Sequence, residues 1–546
     1  VDLSVTDRYP AEQIAALKAK GLWEDTTLFE TISAQADAWG DKVYVFDSTS
    51  SITYAQLRDR VLRVAAGLKR AGVQQGERIA VQLPNITEFV VVAAAINRAG
   101  AIFVPIMPIY RGSEVEHVIS HSGATRVITV AEFGGFGFVN MFREIQAKHP
   151  ELKTIWSVRG AAEGAESFES LEVEGSLEDL AAEIGPDRSP DEPFLIVYTS
   201  GTTSKPKGCV HTVNTARTGA KELTAGLNYT SDDVQFGPSP VSHSTGMITS
   251  ILLPLINGAS SLFIEKWDPA AGMQAIIDHR VTCAVTATPF LQMLLGVYDP
   301  AQHDVSHFRA WVCAGSPIPG SVVERARTMF TGGTVLSLYG RSENYVTTMV
   351  AVDDDPQRSV TSDGRALPDA SIQITDVDGN EVPRGEEGDI SYKGASHMLG
   401  YYNDPAATEA LFTPAGYSRS GDLGRMDDDG FVRVTGRTKD IIIRGGMNIS
   451  AREVEDHVLA RDDIAQVAAV AMPDERLGEK VCLYIVAKPG HEAPTLETIN
   501  EDLKAKGVAT QKLPERLEVV PDFPMTATGK IQKHVLRQEI VEKLKV

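Results

Sequence analysis

The chain alternates between two hydrophobic periods. Ile14 and Leu17 lie at helical spacing within 11–20, continued by Leu22, and 57–68 forms a second helical stretch behind Thr53. The run 79–83 is almost wholly apolar and reads as a buried strand. A helix over 88–98 then stops at Gly100, and 101–105 and 127–130 are further strands. The same alternation continues through strand-like runs at 194–198, 261–264, 284–286, 310–313 and 334–338. Strands alternating with helices predict an α/β body whose sheets carry helices on their faces.

Two stretches break the pattern. Residues 160–191 are rich in Glu, Ala, Gly and Ser and read as exposed and irregular. After Asp353 come short strands at 372–377, 388–393 and 431–435, with turn signals at Asp378-Gly379 and Asp429-Gly430, which predict a small β-rich subdomain. A last unit begins near Arg437. Ser450 with Glu453 forms an S-x-x-E signature opening a helix to Leu459; strands at 467–471 and 481–486 follow, then a helix over 496–506 ended by Gly507.

Composition narrows the function. Lys and Arg number 52 against 73 Asp and Glu, a formal charge of −21, which repels polyanions and argues against a general nucleic-acid or anionic-membrane binder. Cys209, Cys283, Cys313 and Cys482 are scattered with no CxxC pair, arguing against a disulfide framework or structural zinc and for a reducing, cytoplasmic setting. The apolar run 89–96 is too short for a membrane span of ~20 residues. The N-terminus shows no basic region followed by an apolar stretch, so no signal peptide is expected.

The strongest chemical feature is the run Tyr198-Thr199-Ser200-Gly201-Thr202-Thr203-Ser204-Lys205-Pro206-Lys207-Gly208 behind an apolar strand. Glycines allow backbone N–H groups to approach an anion, hydroxyls add small donors and Lys207 adds charge, a combination suited to a polyphosphate. It does not fit the G-x-x-x-x-G-K-[ST] loop. Four further motifs follow in order: Tyr339-Gly340-Arg341-Ser342-Glu343, Ser420-Gly421-Asp422, Arg437-Thr438-Lys439-Asp440 with Gly445-Gly446, and Met525-Thr526-Ala527-Thr528-Gly529-Lys530. Together they resemble the acyl-adenylate-forming superfamily, which contains acyl- and aryl-CoA ligases, nonribosomal adenylation domains and beetle luciferases. Ser204 stands where that family more often has Gly, and Ser342 where it has Thr. Residues 85–111 also resemble its N-terminal region. Arg8-Tyr9-Pro10-Ala11-Glu12 with Gly21-Leu22-Trp23 is similar to cyclohexanecarboxylate-type CoA ligases and to stand-alone aryl-acid adenylating enzymes.

The resemblance implies two doubly wound sheets and a small barrel-like subdomain in an N-terminal domain of 1–438, and a mobile α+β domain of 439–546 carrying the catalytic lysine. It implies ATP and coenzyme A as co-substrates, Mg2+ as cofactor, a carboxylic acid as substrate, no nucleic-acid partner, and leaves a homodimer open. Carried over residue by residue, it gives ATP contacts to Thr199, Ser200, Gly201, Thr202, Thr203 and Lys207. Tyr339 would stack on the adenine with Ala314, Gly315 and Ser316 along its edge, Gly340 and Ser342 would also contact ATP or AMP, and Asp422 and Arg437 would lie at the ribose. Glu343, with Thr202, would serve Mg2+ and phosphates, and Lys530 the first step. Lys439 is the hinge, and Gly445 and Gly446 line the CoA path. His243, Met247, Gly340 and Arg341 fall at the acyl pocket. Arg is unusual at position 341: either it pairs with a polar substrate group or it turns to solvent or a neighbouring acid.

Three functions stay open on the sequence. The first is a CoA ligase for a cyclic, aromatic or medium-chain acid. The second loads the acyl group onto a separate carrier protein. The third is a non-catalytic nucleotide-binding regulator, against which Glu343, Asp422, Arg437 and Lys530 all argue.

Overall fold

The structure, a computed structural model, describes residues 3–199, 206–315, 318, 320–445, 447–526 and 530–545. Of the sequence-predicted site residues, Ser200, Gly201, Thr202, Thr203, Ser316 and Gly446 lie outside them. The described residues divide into two compact units, one built from the chain up to 371 with 393–410, the other from 372–392 with the chain from 411 onward.

The first unit contains two eight-stranded sheets. In one, Thr334–Tyr339, Ala310–Ala314, Cys283–Ala287, Val234–Gly237, Ser260–Phe263 and Val43–Phe46 lie side by side and parallel. Thr348–Met349 and Ser51–Thr53 close its edges antiparallel. In the other, Pro193–Tyr198, Ile102–Pro105, Arg78–Gln82, Arg126–Val130 and Thr154–Val158 are parallel. Gly208–Thr212 turns back antiparallel on Pro193–Tyr198 and pairs in turn with Gly400–Tyr401. Parallel strands covered on both faces need continuous apolar runs, which is why 79–83 and 194–198 are legible as strands. On one face of the first sheet, Phe236, Leu262, Trp311 and Val335 pack with Leu291, Leu294 and Val323 of the covering helices.

Residues 160–191 differ from expectation. Phe168 and Leu171 are buried in a 3-10 turn, and Leu177–Ile184 is a helix capped by Ser176 that buries Leu180 and Ile184. Apolar residues three and four apart, set in a polar context, are enough to seat these turns on the body.

The second unit holds a four-stranded sheet in the order Ser371–Thr375, Gly388–Lys393, Ser418–Met426 and Val432–Arg437, the last three antiparallel. It also holds a five-stranded sheet centred on Gly478–Ala487, which pairs with Ile441–Arg444, Ile464–Asp474 and Arg516–Val519. The helix Ala451–Leu459 opens as expected at Ser450, whose side chain accepts from the Glu453 N–H. The Glu453 carboxylate is bound by Lys512 at 2.6 Å. Its core is Ile442, Val454, Val458, Leu483 and Ile485 with Ile499 and Leu503 of the helix Leu496–Ala505. All four cysteines are buried thiols. Among the described residues no helix is long and apolar enough to cross a membrane.

Candidate active site

The parallel strands of the first sheet end at one edge, and the loops that leave them carry the predicted nucleotide and acyl residues. Ala314 is paired with Leu338, which sets Ala314-Gly315 beside Tyr339-Gly340. Such carboxyl-terminal edges are where open α/β sheets bind ligands. Tyr339 ends its strand and is paired with Thr348.

The turn after Tyr339 is fixed on every side. Tyr345 N–H donates to Arg341 O at 2.7 Å, Thr347 N–H to Tyr339 O at 2.9 Å and Met398 N–H to Glu343 O at 2.7 Å. Tyr345 has φ 56°, uncommon for a residue with a side chain, and is buried. Its carbonyl comes so close to Gly340 that a Cβ there would lie 1.9 Å from the oxygen, so position 340 admits only glycine. From the second sheet, His211 places Nε2 2.8 Å from Ser342 O and Nδ1 3.1 Å from Thr215 Oγ1. Burial, opposed in part by the Ser342 carbonyl, lowers the His211 pKa to about 4, so the ring is neutral. Arg341 donates from Nε to Asn344 Oδ1 at 2.9 Å, so part of its guanidinium is engaged within the turn.

The phosphate loop springs from a hairpin. Thr199 N–H donates to Lys207 O at 2.9 Å and Tyr198 is paired with Gly208, so Thr199 and Lys207 stand at its two feet. Lys207 Nζ lies 4.7 Å from the centroid of the Tyr401 ring, and Tyr401 OH donates to Glu343 Oε1 at 2.6 Å. The lysine of the loop and the carboxylate of the YGxSE turn are therefore joined through one side chain. Burial, then the Glu343 charge, raises the Tyr401 pKa, keeping its hydroxyl a donor. On the other side of the loop's base, His117 Nε2 lies 3.1 Å from Pro206 O and His121 Nδ1 2.9 Å from Tyr198 OH.

His243 caps the turn Ser244–Gly246, its Nδ1 accepting from Thr245 N–H at 3.3 Å. Met247 follows, buried, at the start of the π-helical segment Met247–Leu252. The loop before His243 is clamped by Asn85, whose Nδ2 donates to Ser239 O at 2.9 Å and to Gly237 O at 3.2 Å. Asn85 Oδ1 accepts from Val241 N–H at 3.0 Å.

In the second unit, Asp422 and Arg437 are cross-strand partners, with Nε to Oδ1 at 2.9 Å. Asp389 accepts from the N–H groups of Ser420 and Gly421, both at 3.0 Å, fixing the turn that presents Asp422. Lys439 lies in the 3-10 turn Thr438–Asp440; Arg537 donates to its carbonyl at 2.8 Å and pairs with Asp440 at 3.3 Å. Burial, then the Arg437 charge, lowers the Lys439 pKa. Gly445, at φ 59°, turns the hairpin between Ile441–Arg444 and Met447–Ser450. Lys530 is tied to Thr526 by two bonds: Thr526 N–H donates to Lys530 O at 2.7 Å, and Lys530 N–H to Thr526 Oγ1 at 3.0 Å.

Of the residues the motifs predict, the structure describes Lys207, Tyr339, Glu343, Asp422, Arg437 and Lys530; Asn85 opens the stretch 85–111 already singled out, whereas no motif points to Tyr401, His211 or Asp389. A lone Tyr or His in a strand pattern carries no spacing signal, and no local pattern would have found them.

Comparisons with known proteins give the family. The AMP-binding enzyme profile matches residues 32–402, and that of the AMP-binding enzyme C-terminal domain matches 453–530. The chain is 34% identical to a medium-chain fatty-acid–CoA ligase of Escherichia coli, over 100% of this chain and 95% of that one. It is 32% identical to a salicyl-AMP ligase / salicyl-S-ArCP synthetase of Mycobacterium tuberculosis, covering 97% and 94%. Among solved structures it is similar to ATP-bound MatB from Rhodopseudomonas palustris, with TM-score 0.82, 28% identity and coverage of 94% and 99%. The chain belongs to the AMP-binding enzymes of the acyl-adenylate-forming superfamily and is an AMP-forming acid–thiol ligase.

Proposed function

We propose that this chain joins a cyclic, aromatic or medium-chain carboxylic acid to coenzyme A in two half-reactions. In the first, a carboxylate oxygen attacks the α-phosphorus of ATP and the bond to pyrophosphate breaks. In the second, the CoA thiol attacks the acyl carbon of the mixed anhydride, AMP leaves and the thiol proton is released. The observation that carries this reading is the Lys207–Tyr401–Glu343 arrangement at the foot of the phosphate loop. A cation and a carboxylate held together at the foot of that loop support the binding of a polyphosphate with its metal ion.

Glu343 fits Mg2+ as a carboxylate ligand, since its backbone is fixed and one oxygen is oriented by a neutral donor. When bound, the ion would neutralise charge on the phosphates and leaving group, with Thr202 a second contact. Thr199, Ser200, Gly201, Thr203 and Lys207 would hold the phosphates, and Ala314, Gly315, Ser316 and Tyr339 the adenine. Asp422 accepts from the ribose hydroxyls with Arg437 at its side. Lys530 supplies a point charge to the attacking carboxylate and the α-phosphate. His243, its Nδ1 occupied by a backbone N–H, borders the acyl group without serving as its base. Met247 and Gly340 line the same pocket.

The domain of 439–546 would turn about Lys439 between the half-reactions, withdrawing Lys530 and presenting Gly445-Gly446 to pantetheine. Likeness to the Escherichia coli ligase supports a medium-chain acid, and likeness to the Mycobacterium tuberculosis enzyme an aromatic one. The latter also favours a second reading, transfer to a carrier protein. A panel of carboxylic acids assayed for AMP release with and without CoA tests the proposal. Acid-dependent ATP–pyrophosphate exchange with no thioester from free CoA would select the carrier reading, and no exchange with any acid would count against both.

A further inference from the structure

Tyr401 lies outside every motif that led to the site, yet it touches two of its charged groups. Its own place is set by the backbone. The pairings Cys209↔Tyr401 and Val210↔Gly400 attach it to the strand leaving the phosphate loop, and its N–H donates to Thr408 Oγ1 at 2.9 Å. Tyr402 N–H donates to Gly208 O at 2.7 Å. The approach to this strand is held from outside, by Tyr9 OH on His397 O at 2.7 Å and Trp23 Nε1 on Ala395 O at 3.0 Å. Tyr401 is thus a rigid post, 6% exposed.

We propose that Tyr401 is a positioning residue for the adenylation step: its hydroxyl orients Glu343 through Oε1, leaving Oε2 for the metal ion, while its ring face carries the Lys207 ammonium towards the phosphates. The inference rests on the proposed ATP- and Mg2+-dependent reaction. An unrestrained carboxylate would have to give up its rotational freedom when it takes a metal ion, and an O–H···O− bond already in place removes part of that loss. A cation over the negative face of an aromatic ring is likewise held without being neutralised.

The test uses the full chain and the variants Tyr401→Phe and Tyr401→Leu, alone and in a Glu343→Gln background, with thermal melting to verify folding. Mn2+ binding in the presence of ATP is followed by the signal of free Mn2+, and ATP binding without metal by calorimetry. Tyr401→Phe keeps the ring and is expected to weaken Mn2+ binding about tenfold, the loss of a hydrogen bond to a charged group, with metal-free ATP binding changed less than about twofold. Tyr401→Leu is expected to weaken metal-free ATP binding as well, by about threefold to tenfold. In the Glu343→Gln background, Tyr401→Phe adds little further loss of Mn2+ binding. The inference is overturned by wild-type Mn2+ affinity in Tyr401→Phe, by equal loss of metal-bound and metal-free ATP binding in that variant, or by an undiminished effect in the Glu343→Gln background. Should Tyr401→Phe not fold, Tyr401→Leu alone and in the Glu343→Gln background decides: wild-type Mn2+ affinity in Tyr401→Leu, or a Mn2+ loss undiminished in the Glu343→Gln background, overturns the inference. A wild-type chain that shows no acid-dependent exchange overturns the proposed function itself; a wild-type chain that exchanges, with Mn2+ binding unmoved by the variants, overturns this inference alone.

Discussion

The fully buried imidazole of His211 stands 2.8 Å from the carbonyl oxygen of Ser342, the residue before Glu343, and links the strand leaving the phosphate loop to the YGxSE turn. Its pKa is lowered from 6.5 to about 4, chiefly by burial. A base whose folded pKa is depressed binds its proton more readily in the unfolded chain, so stability is complete above about pH 6.5 and is lost as pH falls towards 4. His397, buried and shifted the same way, adds to the trend. For His211→Gln we expect the slope of unfolding free energy against pH to fall by up to about one proton between those limits. Urea titrations at several pH values measure it, and slopes equal to wild type would refute it.

Gly340 is fixed by space. Gly340→Ala puts a methyl group 1.9 Å from Tyr345 O, where only movement of the turn can relieve the clash. A loss of roughly 1–3 kcal/mol is expected, with pyrophosphate exchange falling more steeply than stability because Glu343 moves with the turn. Denaturation midpoint and exchange rate on the same samples check this; an active, unchanged Gly340→Ala chain would contradict it.

Asp422 serves the ribose in the proposed reaction. For Asp422→Ala, losing charge-assisted bonds of about 1.5–3 kcal/mol should raise the KM for ATP by about tenfold to a hundredfold. The variant should also lose preference for ATP over 2′,3′-dideoxy-ATP. Retained preference would place the ribose elsewhere.

Lys439→Pro tests the hinge. The 3-10 turn Thr438–Asp440 stiffens at a residue whose carbonyl is already bound by Arg537. Acyl-adenylate formation should stay within about threefold of wild type while thioester formation falls by about tenfold or more, since only the second half-reaction requires rotation. Single-turnover measurements of the two steps separate them, and equal loss in both would argue against domain alternation.

How much was legible follows from what each residue depends on. Lys207, Glu343 and Lys530 are readable as candidates because each sits in a run of distinctive residue types, and the order of those runs along the chain selects which Lys or Glu to propose. The strands are readable because buried parallel sheets demand apolar runs. Tyr401 is 58 residues from Glu343, and His211 is 131 residues from Ser342. Contacts set by tertiary pairing leave no periodic trace in one sequence. Residues 160–191 stay mostly exposed, as their composition implies, but Phe168, Leu171, Leu180 and Ile184 anchor a 3-10 turn and a helix that composition averages away.

The bonds from Tyr9 and Trp23 to His397 and Ala395 give the N-terminal segment a meaning that motif order does not convey. Both residues precede position 32, where the family profile begins to match. A chain that began at position 32 would retain every signature residue yet lose the outer brace of the strand that steadies Glu343. Completeness of motifs and completeness of the machine therefore part company at the amino terminus.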